Sequence, residues 1–281
     1  MPATAQKPVA FQGEHGAFSE EAALRFFGPN VVTLPCRDFE AMFQAVVEGD
    51  ADCAVVPIEN TLAGSVIKNY DLLLENAVTI VGEVVVRVVH NLIGLAGAKL
   101  EQIRRVYSHP VALAQCETFL RGHAEMEVLA AYDTAGSVKD IVAAGNPQHA
   151  AVAAEAAARA WNAQILAAGI ESNPQNFTRF VIVQRSDRAV LPSAAEGEIK
   201  TSIVFEIRHQ PGGLFEALRP FAEHGINLSK IESRPIPGRP WEYTFYLDFL
   251  GAPGDPRVTT ALADLRARAD DVRVLGSYRR A

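Results

Sequence analysis

Apolar residues near the start of this chain fall in short β-branched runs, each followed by a stretch with helical spacing. "PVAFQG" predicts a strand, and Ser19 is placed to cap a helix running through Phe27, with Glu20 and Glu21 in its first turn where the helix dipole favours anions. "VVTLPC" predicts the next strand, and "DFEAMFQAVVEG" a helix that stops at Gly49. "ADCAVVPIEN" is a third strand with an abruptly polar end, and "SVIKNYDLLLEN" a further helix. Strands that are apolar on both faces and alternate with helices predict a mostly parallel sheet covered on both sides.

"VTIVGEVVVRVVHNLIGL" is too long for one ordinary strand and predicts a connection that leaves one sheet and enters another. A second series of strands and helices follows: "RRVYSH", "PVALAQCETFLRG", "EMEVLAA", "TAGSVKDIVAAG", "AAVAA" and "EAAARAWN". The chain then returns through "QILAAGI" and "NFTRFVIVQ". Two α/β lobes joined by two crossings, near 81–90 and 165–180, predict a bilobal domain over 8–185 with a cleft between the lobes.

Residues 186–199, "SDRAVLPSAAEGEI", lack any period and predict a linker. From 200 to 280 the order is strand "KTSIVFEIR", helix "GGLFEALRPFAEHG", strands "INLSKIESRPIP" and "WEYTFYLDFLG", helix "DPRVTTALADLRARA" and strand "VRVLGSY". That βαββαβ order is ferredoxin-like.

Composition narrows the functional classes. With 281 residues and a net charge of -7, bulk electrostatics argue against nucleic acid or an anionic membrane as partner. No apolar run of membrane-spanning length occurs, and "MPATAQKPVAF" has no signal-peptide core, so the expected location is cytoplasmic. Cys36, Cys53 and Cys116 are odd in number and widely spaced, as reduced thiols are. No two histidines stand at metal-ligand spacing and no Cys-x-x-Cys occurs, so no metal site is expected.

Candidate chemistry sits at four strand ends. These are Glu59-Asn60-Thr61 with Gly64-Ser65, then Ser108-His109-Pro110 leading to Gln115, then Thr178-Arg179-Phe180, and the glycine loop Gln12 to Ser19. Singly, each has an ordinary local explanation as a turn, a cap or a surface cation. Gln115 lies about two helical turns beyond Ser108, so both can face one cleft. The glycine loop lacks G-x-G-x-x-G and a P-loop lysine, which leaves a nucleotide reading weak. Together the four spots favour a site for a small carboxylate-bearing molecule.

"VAFQGEHGAFSEEAA", "CAVVPIENTLAGSV", "SHPVALAQC" and "NFTRF", in this order, resemble prephenate dehydratase, and "GGLFEAL…GINLSKIESRP" resembles the ACT regulatory domain that this family carries. The likeness spans 8–280. It implies a periplasmic-binding-protein-like catalytic domain without a cofactor, and conversion of prephenate to phenylpyruvate, water and carbon dioxide in phenylalanine biosynthesis. It implies catalytic roles for Thr178, Glu59, Asn60 and Gln115, with Arg179, Ser108, Thr61, Ser65 and Phe180 around the substrate. Thr178 would hydrogen-bond the leaving hydroxyl, Glu59 is an alternative proton source, and Arg179 would clamp a carboxylate. In the third motif Val111-Ala112 stand where Gln-Pro is commonest in bacterial members, and an alanine there resembles members that accept arogenate. In the ACT part, Gly212, Gly213, Leu214, Asn227, Leu228, Glu232, Ser233 and Arg234 would hold L-phenylalanine as feedback inhibitor, with Phe215, larger than the expected valine, reshaping the pocket. A homodimer or homotetramer is expected. Two rivals stand beside this reading: a non-catalytic binding protein, and an amino-acid sensor with an inactive first domain.

Overall fold

The computed structural model describes residues 7–189, 198–207, 210–236 and 238–281. The chain divides into two compact units: 84–181 joins the residues up to 76 in one, and 77–83 joins 182–281 in the other.

In the first unit, strand β1 (Val9–Gln12) lies between β2 (Thr33–Cys36) and β3 (Cys53–Asn60), parallel to both, with Val9 opposite Thr33 and Cys53. Beyond β3 lie β11 (Phe177–Arg185) and then β5 (Val78–Arg87). Val9, Ala10 and Phe11 are fully buried, as two-sided coverage requires. Helix α1 (Phe18–Phe27), α2 (Phe39–Glu48) and, beyond the short β4 (Gly64–Ser65), α3 (Ile67–Glu75) surround these strands. Asp38 starts α2 by accepting from the Ala41 N–H at 2.8 Å, and Gly49 ends it with φ +85°. Ser19 does not cap α1. The cap position is Ala17, which offers no side-chain acceptor, and the Glu20 carboxylate instead accepts from the Gly16 N–H at 2.6 Å, tying the helix start to the glycine loop before it.

The second lobe carries a sheet in the order β10-β6-β9-β7-β8, formed by β6 (Asn91–Gly94), β7 (Arg105–Ser108), β8 (Glu127–Ala130), β9 (His149–Ala153) and β10 (Gln164–Ala167). β7 is parallel to β8 and β9, while β6 is antiparallel to β9 and β10. Helices α4 (Pro110–Gln115), α5 (Glu117–Arg121), α6 (Thr134–Ala144) and α7 (Glu155–Ala160) complete it. The lobes share a core: Phe11 and Ala17 pack in one cluster with Ile93, Ala135, Val138 and Ala157. Gly16 makes this approach possible, since a Cβ there would lie 2.4 Å from the Ala157 Cα.

In the second unit, β12 (Ile199–Glu206) pairs antiparallel with β14 (Tyr243–Leu250) and β15 (Asp270–Arg279), and β13 (Leu228–Pro235) flanks β14. Helices α8 (Gly213–Glu223) and α9 (Pro256–Arg266) bury Phe221, Val258 and Leu265 against Ile203, Phe205, Leu247 and Phe249. This is the ferredoxin-like order that the sequence predicts. The first half of β5 belongs to this unit, where Ile80 pairs with Gly276 and buried Glu83 takes Lys200 Nζ at 2.7 and 2.8 Å. Of the expected linker, Ser186–Arg188 form a single 3₁₀ turn and 190–197 lie outside the described residues.

Candidate active site

A cavity of about 680 Å³ opens between the lobes of the first unit, a volume suited to a small organic acid. Asn60 at the end of β3, Thr178 near the start of β11, Gln115 at the end of α4, and His90 between β5 and β6 all line it.

Hydrogen-bond direction in this group follows from the backbone. Asn60 Oδ1 accepts from the N–H groups of Leu62 (2.9 Å) and Ala63 (2.8 Å), which fixes the amide orientation. Asn60 Nδ2 therefore donates to Asn176 Oδ1 at 2.7 Å and to Thr178 Oγ1 at 3.0 Å. Asn176 in turn donates to Gln115 Oε1 at 2.9 Å, and Gln115 Nε2 donates to Asn60 Oδ1 at 3.3 Å. His90 Nε2 meets the same Gln115 oxygen at 2.8 Å and must carry the proton. Thr178 Oγ1 accepts from Asn60, so its own proton is left to point at whatever occupies the cleft.

Thr61, Asn60 and Glu59 meet Phe177, Thr178 and Arg179 in turn, the progression of an antiparallel pair. Successive side chains of a strand point to opposite faces. Asn60 meets Thr178 on the cleft side, whereas Glu59 meets Arg179 at 3.2 Å on the other. Neither Glu59 nor Arg179 is among the residues lining the cleft; the two pair with each other beside it. Ser108 is also misplaced by the sequence reading. It is fully buried and donates to the Val152 carbonyl at 2.6 Å, holding β7 to the neighbouring β9. Phe180 is 1% exposed and belongs to the core. Thr61 Oγ1 donates to the Gln175 carbonyl and accepts from the Phe177 N–H, tying β3 to β11 outside the cleft. Ser65 does line the cleft.

The sequence reading missed Asn176 and His90. Neither carries a motif that points to a site, yet they are 0% and 2% exposed and both join the network. Burial against the cleft wall pushes the His90 pKa down, so the ring is neutral. Among cations at the rim, Arg37 pairs with Asp38 at 2.9 Å and Lys68 pairs with Glu40. Burial pushes the Asp133 carboxyl up, although it accepts from the Thr134 and Gly136 N–H groups. Among the described residues no cluster of three metal-binding side chains occurs.

In the second unit a pocket of about 240 Å³ is lined by Gly212, Gly213, Leu214, Phe215, Trp241 and Tyr243 among others. Gly212 precedes α8 with φ +78°. The Gly213 N–H donates to the Gln210 carbonyl at 3.1 Å. Asn227, Leu228, Glu232, Ser233 and Arg234 do not line this pocket. The Asn227 carbonyl accepts from Leu250 at 2.9 Å and the other four lie on β13.

A bilobal cleft floored by a directed amide network, followed in sequence by a ferredoxin-like domain with its own pocket, defines a two-part protein with a periplasmic-binding-protein-like site domain and a smaller second domain. The prephenate dehydratase family profile matches residues 9–188 and the ACT domain profile 201–267, and the chain belongs to the prephenate dehydratase family. It is 42% identical over 284 residues to arogenate dehydratase/prephenate dehydratase 1, chloroplastic, of Arabidopsis thaliana, covering 96% of this chain and 71% of that one. Prephenate dehydratase from Arthrobacter aurescens, solved in complex with L-Phe, superposes with TM-score 0.88 at 34% identity over 98% of this chain and 90% of that one. A structure described as GqqA, a novel type of quorum quenching acylase, superposes with TM-score 0.90 at 34% identity over 98% of both chains.

Proposed function

We propose that the chain converts prephenate to phenylpyruvate, water and carbon dioxide. The observation that carries this reading is the Thr178 hydroxyl, whose oxygen is held by Asn60 while its proton remains available to the cleft. In the reaction the ring carboxylate leaves as carbon dioxide, and the electrons of its carbon–carbon bond enter the ring. The ring C–O bond breaks on the opposite carbon, and aromatisation drives the step. Negative charge grows on the departing oxygen, and a donor fixed in advance stabilises it. Thr178 is too weak an acid to give up its proton outright, so it acts by hydrogen bond. The departing hydroxide takes its proton from solvent. Asn60, Gln115 and Asn176 hold Thr178 in register, and Ser65 lies beside the substrate.

A second substrate, arogenate, is favoured by specific residues. Val111 and Ala112 line the cleft, where the sequence departs from the commonest bacterial motif. The oppositely charged Lys68 and Glu40 line it too, and an amino-acid group carries both charges, unlike a keto acid. The test is turnover of both substrates by the full chain, reading phenylpyruvate from prephenate and phenylalanine from arogenate. A higher kcat/KM for arogenate assigns the chain to the second substrate. Absence of product from both overturns the reading.

The same proposal makes L-phenylalanine the effector at the Gly212–Tyr243 pocket and gives an even-numbered homo-oligomer in the cytoplasm. The ACT domain, the L-Phe complex of the Arthrobacter protein and three free, buried cysteines support it. No helix among the described residues is long and apolar enough to cross a membrane.

A further inference from the structure

His90 is fixed at its backbone from both sides. Its N–H donates to Glu171 Oε2 at 3.1 Å, and its carbonyl accepts from Ile170 at 2.8 Å. The Phe18 ring meets the imidazole edge-on, with centroids 5.5 Å apart. Glu171 is the charged group beside it, itself 3.6 Å from Arg87. One ring nitrogen, Nε2, reaches Gln115 at 2.8 Å, while the other, Nδ1, is buried with no hydrogen-bond partner. A buried acceptor without a partner is costly, and a side chain selected for packing alone would avoid it.

The benefit lies on Nε2. The amide network is anchored at one end by the Leu62 and Ala63 N–H groups on Asn60, and at the other by the His90 ring Nε2–H on Gln115. Were the proton on Nδ1, Nε2 would become an acceptor and Gln115 would have to turn its amide over. Its oxygen would then face Asn60 Oδ1, which also accepts. We propose that His90 is a positioning residue for the dehydration: its Nε2–H holds the Gln115 amide against Asn60 and Asn176, bracing from the far side the network whose Asn60 amide meets Thr178. This rests on the reading of the cleft given above.

Two measurements on the full chain test it. In ¹⁵N-histidine spectra of the unliganded protein, assigned with His90→Gln, the His90 signal should show a protonated Nε2 and bare Nδ1. It should also be less protonated at pH 6.5 than a free imidazole, which is half protonated there. In kinetics, His90→Leu should lower kcat about tenfold with KM within about twofold, and His90→Gln, which restores a donor, should recover most of the loss. In a Gln115→Ala background, His90→Leu should add less than about a twofold loss, because the effect passes through Gln115. Losses that multiply, an Nδ1–H spectrum, or unchanged kcat in folded His90→Leu would each overturn the proposal. Should His90→Leu not fold, His90→Gln and the spectrum decide. A wild-type chain without turnover defeats the functional reading, and the catalytic half of this proposal with it. An Nδ1–H spectrum in an active chain defeats this proposal alone.

Discussion

Asn60 donates to Thr178 Oγ1 at 3.0 Å while its own oxygen is held by the N–H groups of Leu62 and Ala63. The turn after β3 thereby decides which way a hydroxyl on β11 can give its proton. Asn60→Asp keeps the shape and the two turn bonds but removes the donor. Thr178 would then donate to the new carboxylate, and its proton would be lost to the cleft. The expected result is a fall in kcat of about 10²–10³, with a lowered melting temperature as well, because Asn176 Oδ1 loses its buried donor. Steady-state kinetics beside a thermal melt check it.

The Glu59–Arg179 pair gives a contrasting prediction. It faces away from the cleft, so Glu59→Gln should leave the acid limb of the pH–rate profile in place. The loss should appear in stability instead, at about 1–2 kcal/mol, since Glu59 is partly solvated and Arg179 is not. Urea unfolding together with kcat against pH separates the two. A vanished acid limb in Glu59→Gln would return Glu59 to the chemistry.

Much of this arrangement was legible in the sequence. The strand and helix order, the Asp38 and Gly49 helix ends, and the meeting of Asn60, Gln115 and Thr178 follow from pattern and motif. Thr178 and Arg179 are adjacent on one strand, so alternation alone argues that only one faces the cleft. Other features were hidden because they depend on distant partners. Ser108 sits in a cap-like motif, but its hydroxyl is drawn to the Val152 carbonyl one strand over. Asn176 has no local signal because its partners, Asn60 and Gln115, are 116 and 61 positions away.

His90 links burial to pH. Desolvation lowers its pKa in the folded state, whereas the unfolded chain binds a proton near the ordinary value of 6.5. Between the two values the unfolded state holds more protons, so stability rises with pH and is lost as pH falls below about 6.5, at up to about 1.4 kcal/mol per unit. Urea midpoints from pH 7 downward should drop more steeply for the wild type than for His90→Gln. Equal slopes would remove His90 as the cause.

The second unit offers an optical test. The chain has two tryptophans, Trp161 and Trp241. Trp241 is 76% exposed at the pocket rim beside Phe215 at 67%. L-phenylalanine should shift tryptophan emission in the wild type and in Trp161→Phe, but not in Trp241→Phe. Gly212→Ala should weaken binding, because its φ of +78° costs a side chain about 1–2 kcal/mol although the space around it is open. A full emission change in Trp241→Phe would place the ligand elsewhere.

In the proposed reaction the Thr178 hydroxyl is the donor to the leaving oxygen. The most direct measurement is single-turnover product formation by wild type, Thr178→Ser and Thr178→Val, on whichever of prephenate and arogenate the wild type prefers. Thr178→Val keeps the shape and removes the donor, so the chemical step should slow by about 10²–10³ with substrate affinity little changed. Thr178→Ser should retain most of the rate. A Thr178→Val chain that turns over within a few-fold of wild type would contradict the account.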